Sequence, residues 1–411
     1  MGLFLLSILI LKIQADGVDG FSSVSSRVNH RHCRISRSSP TSTVSQSTAT
    51  TLFSTTDKPE TKSSTSPWDD FDYMQHWYPV SWLEDILPNK PTKITLFDVD
   101  YVVARTDDSS VMALQDKCPH KSAALSEGRV TATGFIQCAY HGWSFDKDGK
   151  CVQVPQAPAN AVLGAKSCAK AIPAKIHQGL IWLWPGPVTE QLPDPPSVPE
   201  MNDPAYRTFN KSVRDFPCID WSLLLSNIMD PDHGVFAHQS APFDMYSASK
   251  EMPLELEQSF ENHGWVLTSR VPAQEKLLKT DKKKRGKKLK EMPSTIVGTT
   301  TFYAPNHVTI CRRDQETNQT SFVATFWVCP TGTGRSRFLS AAVGKVPFSI
   351  PRWMTHIGIL NFLDQDSVLV ASQQPHVLGA EADAFESGGG ARKKLYSYQS
   401  PSDRAVSLIA E

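Results

Sequence analysis

The chain has 411 residues, with 42 basic and 42 acidic side chains and a formal charge of zero. That balance excludes a protein built to hold a polyanion by its overall charge, nucleic acid included. The length allows two domains and a leader, and eight scattered cysteines without regular spacing do not make a disulfide scaffold.

The chain opens with "MGLFLLSILILKIQADGVDG". Its apolar run is too short to span a bilayer and suits the core of a signal peptide, with small residues Val18 and Gly20 placed for cleavage before Phe21. From Gly20 to Thr56 there is no Asp or Glu, Ser and Thr abound, and Arg27, Arg31, Arg34 and Arg37 recur, which is transit-peptide composition. A signal peptide followed by a transit peptide that begins with Phe resembles the bipartite presequence of algae with secondary, red-lineage plastids. That resemblance implies a plastid protein, in the stroma or peripheral on an inner plastid membrane. Residues 1–65 are expected to be disordered and to stand outside the fold.

Residues 76–190 read as a small all-β domain. Short apolar alternations ("ITLFDVDYVVART", "VMALQDK", "GLIWLWPG") are broken by turn chemistry such as Asp148-Gly149. A Pro-rich link, Leu192 to Pro204, leads to residues 200–411. There "GWVLTSRVPA", "STIVGTTTFYA", "HVTICRR", "TSFVATFWVCP" and "SRFLSAAVG" predict antiparallel strands, while "DWSLLLSNIMD" and "IPRWMTHIGILNFLDQDSVLVASQQ" predict helices. An α+β fold class follows. The basic run 276–290 falls between the first two of these strands and reads as a solvated loop able to touch an anionic membrane surface. No run of eighteen apolar residues predicts a transmembrane helix.

Two constellations carry chemistry. In the first, Cys118-Pro119-His120 is followed after seventeen residues by Cys138-Ala139-Tyr140-His141. Zinc sites with two Cys and two His keep like with like, whereas each loop here gives one of each. A [2Fe–2S] cluster in which two His replace two Cys on one iron asks for that alternation, because each loop must reach both irons. Neutral imidazoles also raise the potential of such a cluster, and Gly142 would let backbone amides approach its sulfurs. Trp143, Trp182 and Trp184 read as core residues.

The second is "DWSLLLSNIMDPDHGVFAHQ". Trp221, Leu224, Leu225 and Ile228 make one apolar stripe, and Asn227, Asp230 and His233 fall on the opposite face. His238 would sit away from His233 on a regular helix, but Pro231 and Gly234 supply a break. Two His on a broken helix can be legs of a non-haem Fe(II) facial triad, which adds one carboxylate and keeps positions open for O2. Asp366 in "NFLDQDSVLVASQQ" is the first candidate for that carboxylate and Asp364 the second.

In this order the two constellations resemble the Rieske non-haem iron oxygenases. The stretches "HWYPVSWLEDI", "CPHKSAALSEG", "CAYHGWSFDKDGKCVQVPQ", "NIMDPDHGVFAH" and "DQDSVLVASQQ" are similar to the pheophorbide a oxygenase group, which includes protochlorophyllide-oxidising and translocon-associated members. The resemblance implies that Cys118 and Cys138 hold one cluster iron, His120 and His141 the other, and His233, His238 and Asp366 a mononuclear iron. It implies a bridging role for Asp230, a place beside the iron for Asn227, a helix-grip catalytic domain and a head-to-tail homotrimer. It also implies ferredoxin or a similar reductase as electron donor, and O2 and a tetrapyrrole as substrates, as in chlorophyll catabolism. The alternatives are a redox component attached to plastid protein import, or an oxygenase of another aromatic or sterol substrate. The chain ends at "SDRAVSLIAE" without the membrane hairpin and Cys-x2-Cys motif of plant members.

Overall fold

The computed structural model describes residues 71–106, 109–158, 160–188, 191–230, 233, 237–238, 254–259, 264–270, 296–314, 316–346, 351–387, 392, 395–400 and 403–409. The expected presequence, the basic run 276–290 and the helix-breaking Pro231 and Gly234 lie outside these residues.

The first part is all β. Its strands are β1 (Tyr78–Trp82), β2 (Thr92–Leu96), β3 (Val99–Arg105), β4 (Val111–Gln115), β5 (Arg129–Val130), β6 (Ile136–Gln137), β7 (Ser144–Phe145), β8 (Cys151–Gln153), β9 (Ala174–His177) and β10 (Leu180–Leu183). They form three small sheets, ordered β1-β10-β9, β2-β3-β4 and β5-β6-β7-β8. Phe97 and Asp98 join β2 to β3 with φ of 52° and 59°, the doubly positive pair that matches the twist of a tight hairpin. That tip is pinned to the second part, where the Phe97 and Asp98 N–H groups donate to the carbonyls of Pro330 and Thr331 at 2.9 and 3.1 Å.

The second part is an antiparallel sheet of seven strands, ordered β11-β17-β16-β15-β14-β13-β12. These are β11 (Arg207–Phe216), β12 (Leu254–Ser259), β13 (Trp265–Arg270), β14 (Ile296–Tyr303), β15 (His307–Asp314), β16 (Thr320–Gly332) and β17 (Arg335–Gly344). The helices are α1 (Pro199–Asn202), α2 (Trp221–Met229), α3 (Arg352–Ser387) and α4 (Arg404–Ile409). None of the described helices is long and apolar enough to cross a membrane.

Strand alternation gives the sheet two apolar faces. Val323, Trp327, Cys329, Leu339, Ala341 and Val343 pack against the first part, with Trp82 and Trp182 each meeting Trp327 edge-on at 6.1 and 6.3 Å. Val308, Val328 and Phe338 face the other way, into a core shared with Leu224 and Met229 of α2 and Leu363, Val370 and Val377 of α3. A third core, separate from both, surrounds Cys118 and Cys138.

All five strands expected in the second part are present, and β11 and β12 join them. β11 escaped the alternation rule because Asn210 stands at φ 54° beside a register shift between Phe209 and Ser212, which breaks the period. β12, "LELEQS", is short and Glu-rich, a composition poor in strands. The long helix also runs beyond its expected end at Gln374, through Pro375 to Ser387. Proline removes one ladder hydrogen bond, and buried Val377 and Ala384 hold the helix on the far side of it.

Candidate metal centres

The two Cys-His loops follow the same backbone path. Cys118 N–H donates to Ala123 O at 2.8 Å and Ser122 N–H to Cys118 O at 2.8 Å; Cys138 N–H donates to Trp143 O at 2.8 Å and Gly142 N–H to Cys138 O at 3.0 Å. The residue four past each Cys, Ser122 or Gly142, is left-handed, at φ 59° and 75°. Both cysteines are buried, and the imidazoles of His120 and His141 meet at 4.5 Å at the exposed tip.

Burial pushes the Cys118 thiol up, and the neighbouring Cys138 thiol adds to the rise. The backbone N–H groups of His120 and Lys121, aimed at the Cys118 sulfur, pull the other way. Two buried thiols side by side, N–H groups directed at sulfur and two imidazoles at the rim fit a cluster with two Cys and two His ligands.

Two aromatic contacts escaped the sequence reading. Trp143, expected in the core, is only half-buried and lies parallel to His120 at 4.7 Å with 4° between the rings. Tyr140 is 63% exposed and its ring sits 4.0 Å from that of His141. Their place beside cluster-ligand candidates was the available signal.

The second centre begins with α2. Asp220 caps it by accepting from Ser222 N–H at 3.0 Å, and the buried stripe of Leu223, Leu224, Leu225 and Met229 seats it. Asp230 closes it, its N–H donating to Asn227 O at 3.3 Å. His233 turns back on this end, with Nδ1 at 2.5 Å from Asp230 O. An Nδ1–H donated to that carbonyl leaves the Nε2 lone pair facing away, the usual arrangement of a metal-binding His.

His233 Nε2 and His238 Nε2 both face Asp366 Oδ2, at 3.8 and 3.2 Å. The ligand atoms of these three residues all lie within 4.8 Å of one another. The His238 ring stacks on Phe362 at 3.6 Å. Phe362 stands one helical turn before Asp366, a spacing that could have marked it in the sequence.

Asp366 is 5% exposed, and its Oδ1 is buried with no hydrogen-bond partner among the described residues. A carboxylate buried in this way is costly unless a cation balances it. Two imidazoles and one carboxylate are the donor set of a non-haem Fe(II) site, so the residues fit that metal. Asp364 is not brought in: its side chain is 61% exposed and pairs with Arg214 at 2.5 Å.

Residues 76–172 match the model of the Rieske [2Fe-2S] domain, and residues 302–383 that of pheophorbide a oxygenase. The chain is 39% identical over 211 residues to the chloroplastic pheophorbide a oxygenase of Oryza sativa subsp. japonica, a match over 49% of this chain and 39% of that protein. It is 28% identical to the chloroplastic Protein TIC 55 of Arabidopsis thaliana, over 74% of this chain and 54% of that protein. The chain thus spans about half or less of the length of these curated relatives. Among solved structures, dicamba monooxygenase bound to dicamba superposes with a TM-score of 0.62 at 22% identity, covering 82% of this chain and 95% of that one, a likeness of fold.

Proposed function

We propose that this chain, a Rieske non-haem iron oxygenase of the pheophorbide a oxygenase-like group, oxygenates a tetrapyrrole such as pheophorbide a or a related chlorophyll derivative, using O2 and electrons from a ferredoxin-like donor. The observation that carries the reading is the convergence of His233, His238 and buried Asp366 in a chain that also presents the two Cys-His loops. Its domains would be a cluster domain over residues 76–190 and a catalytic domain over 200–411. The chloroplastic names of its relatives and the acid-free stretch Gly20 to Thr56 support a plastid location.

When bound, the cluster supplies electrons one at a time and the mononuclear iron activates O2. Cys118, Cys138, His120 and His141 would hold the first, and His233, His238 and Asp366 the second. His141 at the exposed tip would offer its free ring nitrogen to a partner surface. Asp230 would link such a surface to His233, through the carbonyl that His233 Nδ1 already contacts. Asn227, one turn earlier on α2, would border the open side of the metal, and the apolar core between sheet and helices would exclude water. A homotrimer would bring one subunit's tip to the next subunit's Asp230.

The testing experiment supplies iron-replete protein with reduced ferredoxin, O2 and a panel of pheophorbide, chlorophyllide and protochlorophyllide, with mass detection of added oxygen. Oxygen added to one of these pigments is the expected result. His233→Ala should abolish it while the Rieske electron paramagnetic resonance signal stays; loss of both would undo the assignment of separate sites. The 34% identity over 41% of this chain to the chloroplastic Protochlorophyllide-dependent translocon component 52 of Arabidopsis thaliana favours one second reading, an electron carrier attached to plastid protein import. Protein that accepts electrons yet adds oxygen to no pigment would favour that reading.

A further inference from the structure

The metal-ligand candidates of the catalytic part come from two elements. His233 and His238 follow α2, and Asp366 stands on α3. Their spacing therefore depends on how α2 is seated against α3. The contact between the helices is largely apolar, through Leu223, Leu224, Leu363, Val370 and Val377. Apolar contact is non-directional and does not by itself fix the register of one helix along another.

A closed polar ring does. Gln374 Oε1, on α3, accepts from the Asp220 N–H at the start of α2 at 2.5 Å. Gln374 Nε2 donates to Gly334 O at 3.3 Å, and Gly334 N–H donates to Asp220 Oδ2 at 3.2 Å. One amide thus ties α2, α3 and the β16–β17 turn together. Gly334 stands at φ +70°, and a Cβ there would approach Gln374 Nε2 to 2.9 Å, so the turn is shaped for this side chain.

A second tie lies behind it. Arg392 Nη2 donates to Ser222 Oγ at 2.5 Å, and its Nε to Glu381 of α3, also at 2.5 Å. The Ser222 hydroxyl in turn donates to the buried Asp220 carboxylate. Gln374 lies eight residues beyond Asp366, about 12 Å along the helix, too far to touch a metal held there.

We propose that Gln374 is a positioning residue for the His233–His238–Asp366 centre, its amide setting the register of α2 on α3 and through it the spacing of the ligands. The proposal rests on the iron site put forward under Proposed function.

The test uses the full chain with its cluster intact. Fe(II) is titrated anaerobically, and the Fe(II)–nitric oxide adduct is read by electron paramagnetic resonance for rhombicity. Gln374→Ala should weaken Fe(II) binding about ten-fold and change the rhombicity, leaving the Rieske signal and circular dichroism as in the wild type. Gln374→Glu keeps the acceptor toward Asp220 N–H and loses the donor to Gly334 O, and should fall between the two. Should Gln374→Ala fail to fold, Gln374→Glu carries the test on the same two readings. Unchanged affinity and rhombicity in a folded variant overturn the proposal, as does Fe(II) loss that only follows loss of the Rieske signal. Wild-type protein that binds no Fe(II) outside the cluster overturns the iron site itself, a separate result.

Discussion

Two aspartates one residue apart on α3 meet opposite environments. Asp366 turns inward to two imidazoles, while Asp364 turns outward to Arg214. Asp366→Asn removes the charge facing a bound cation, and Fe(II) content measured on the purified protein should fall to near zero. Asp364→Asn should keep its iron and cost less than about 1 kcal/mol in denaturant titration, since it breaks only a half-exposed pair. His307 differs again, buried between Trp327 and Thr325, with Nε2 at 2.9 Å from Thr325 Oγ1. Burial pushes its pKa down to about 3. The unfolded chain, with a His pKa near ~6.5, binds a proton there that the folded chain refuses, so the contribution to stability is present above about pH 6.5 and is lost as pH falls toward 3. Between pH 6.5 and 5 the loss should be about 2 kcal/mol. Urea titrations across that window should show a steeper fall for the wild type than for His307→Phe; equal slopes would sink the argument.

Among the elements, the paired cluster loops show how a local conformation supports a site. Both need a left-handed residue four past the cysteine, and Gly142 meets that need without strain, whereas Ser122 adopts it at φ 59°. Gly142→Ala should cost about 1–2 kcal/mol, because a Cβ there is both left-handed and 3.0 Å from Pro155 Cγ. Loss of visible absorbance on mild heating should come earlier for this variant, and Ser122→Gly should not advance it. These loops were legible in the sequence because the cluster's chemistry is written in ligand type and spacing. The α2 segment was legible in part: the helix was, but its buried side is Leu223, Leu224, Leu225 and Met229, with Trp221 and Ile228 of the expected stripe only half-buried, and what brings His238 to His233 and Asp366 is not local. The choice of Asp366 over Asp364 needed tertiary contacts, since Arg214 comes from β11, a strand whose bulge hid it. The Gln374 ring closes over residues 220, 334 and 374, and no local period records that kind of contact.

Across the whole chain the layers lie in order: the core around Cys118 and Cys138, then the core between the first part and the sheet, then the sheet, then the core holding α2 and α3. The two centres of one chain thus belong to different cores, with the sheet between them. His120 is exposed at the tip of the first centre, and electron transfer falls steeply with distance. In the head-to-tail assembly proposed above, the exposed tip of one copy would meet the Asp230 end of α2 on the next, the kind of contact that closes into a ring of copies. The route between centres would then run between subunits, and complementation tests this directly. A Cys118→Ser chain lacks a proposed cluster ligand but keeps the His233–His238–Asp366 set; a His233→Ala chain has the reverse defect. Each should be inactive alone. Co-expressed and randomly mixed, they should restore about a quarter of the wild-type rate, because one contact in four joins an intact tip to an intact metal site. A route within one chain predicts no recovery at any mixing ratio, since no chain in the mixture carries both centres.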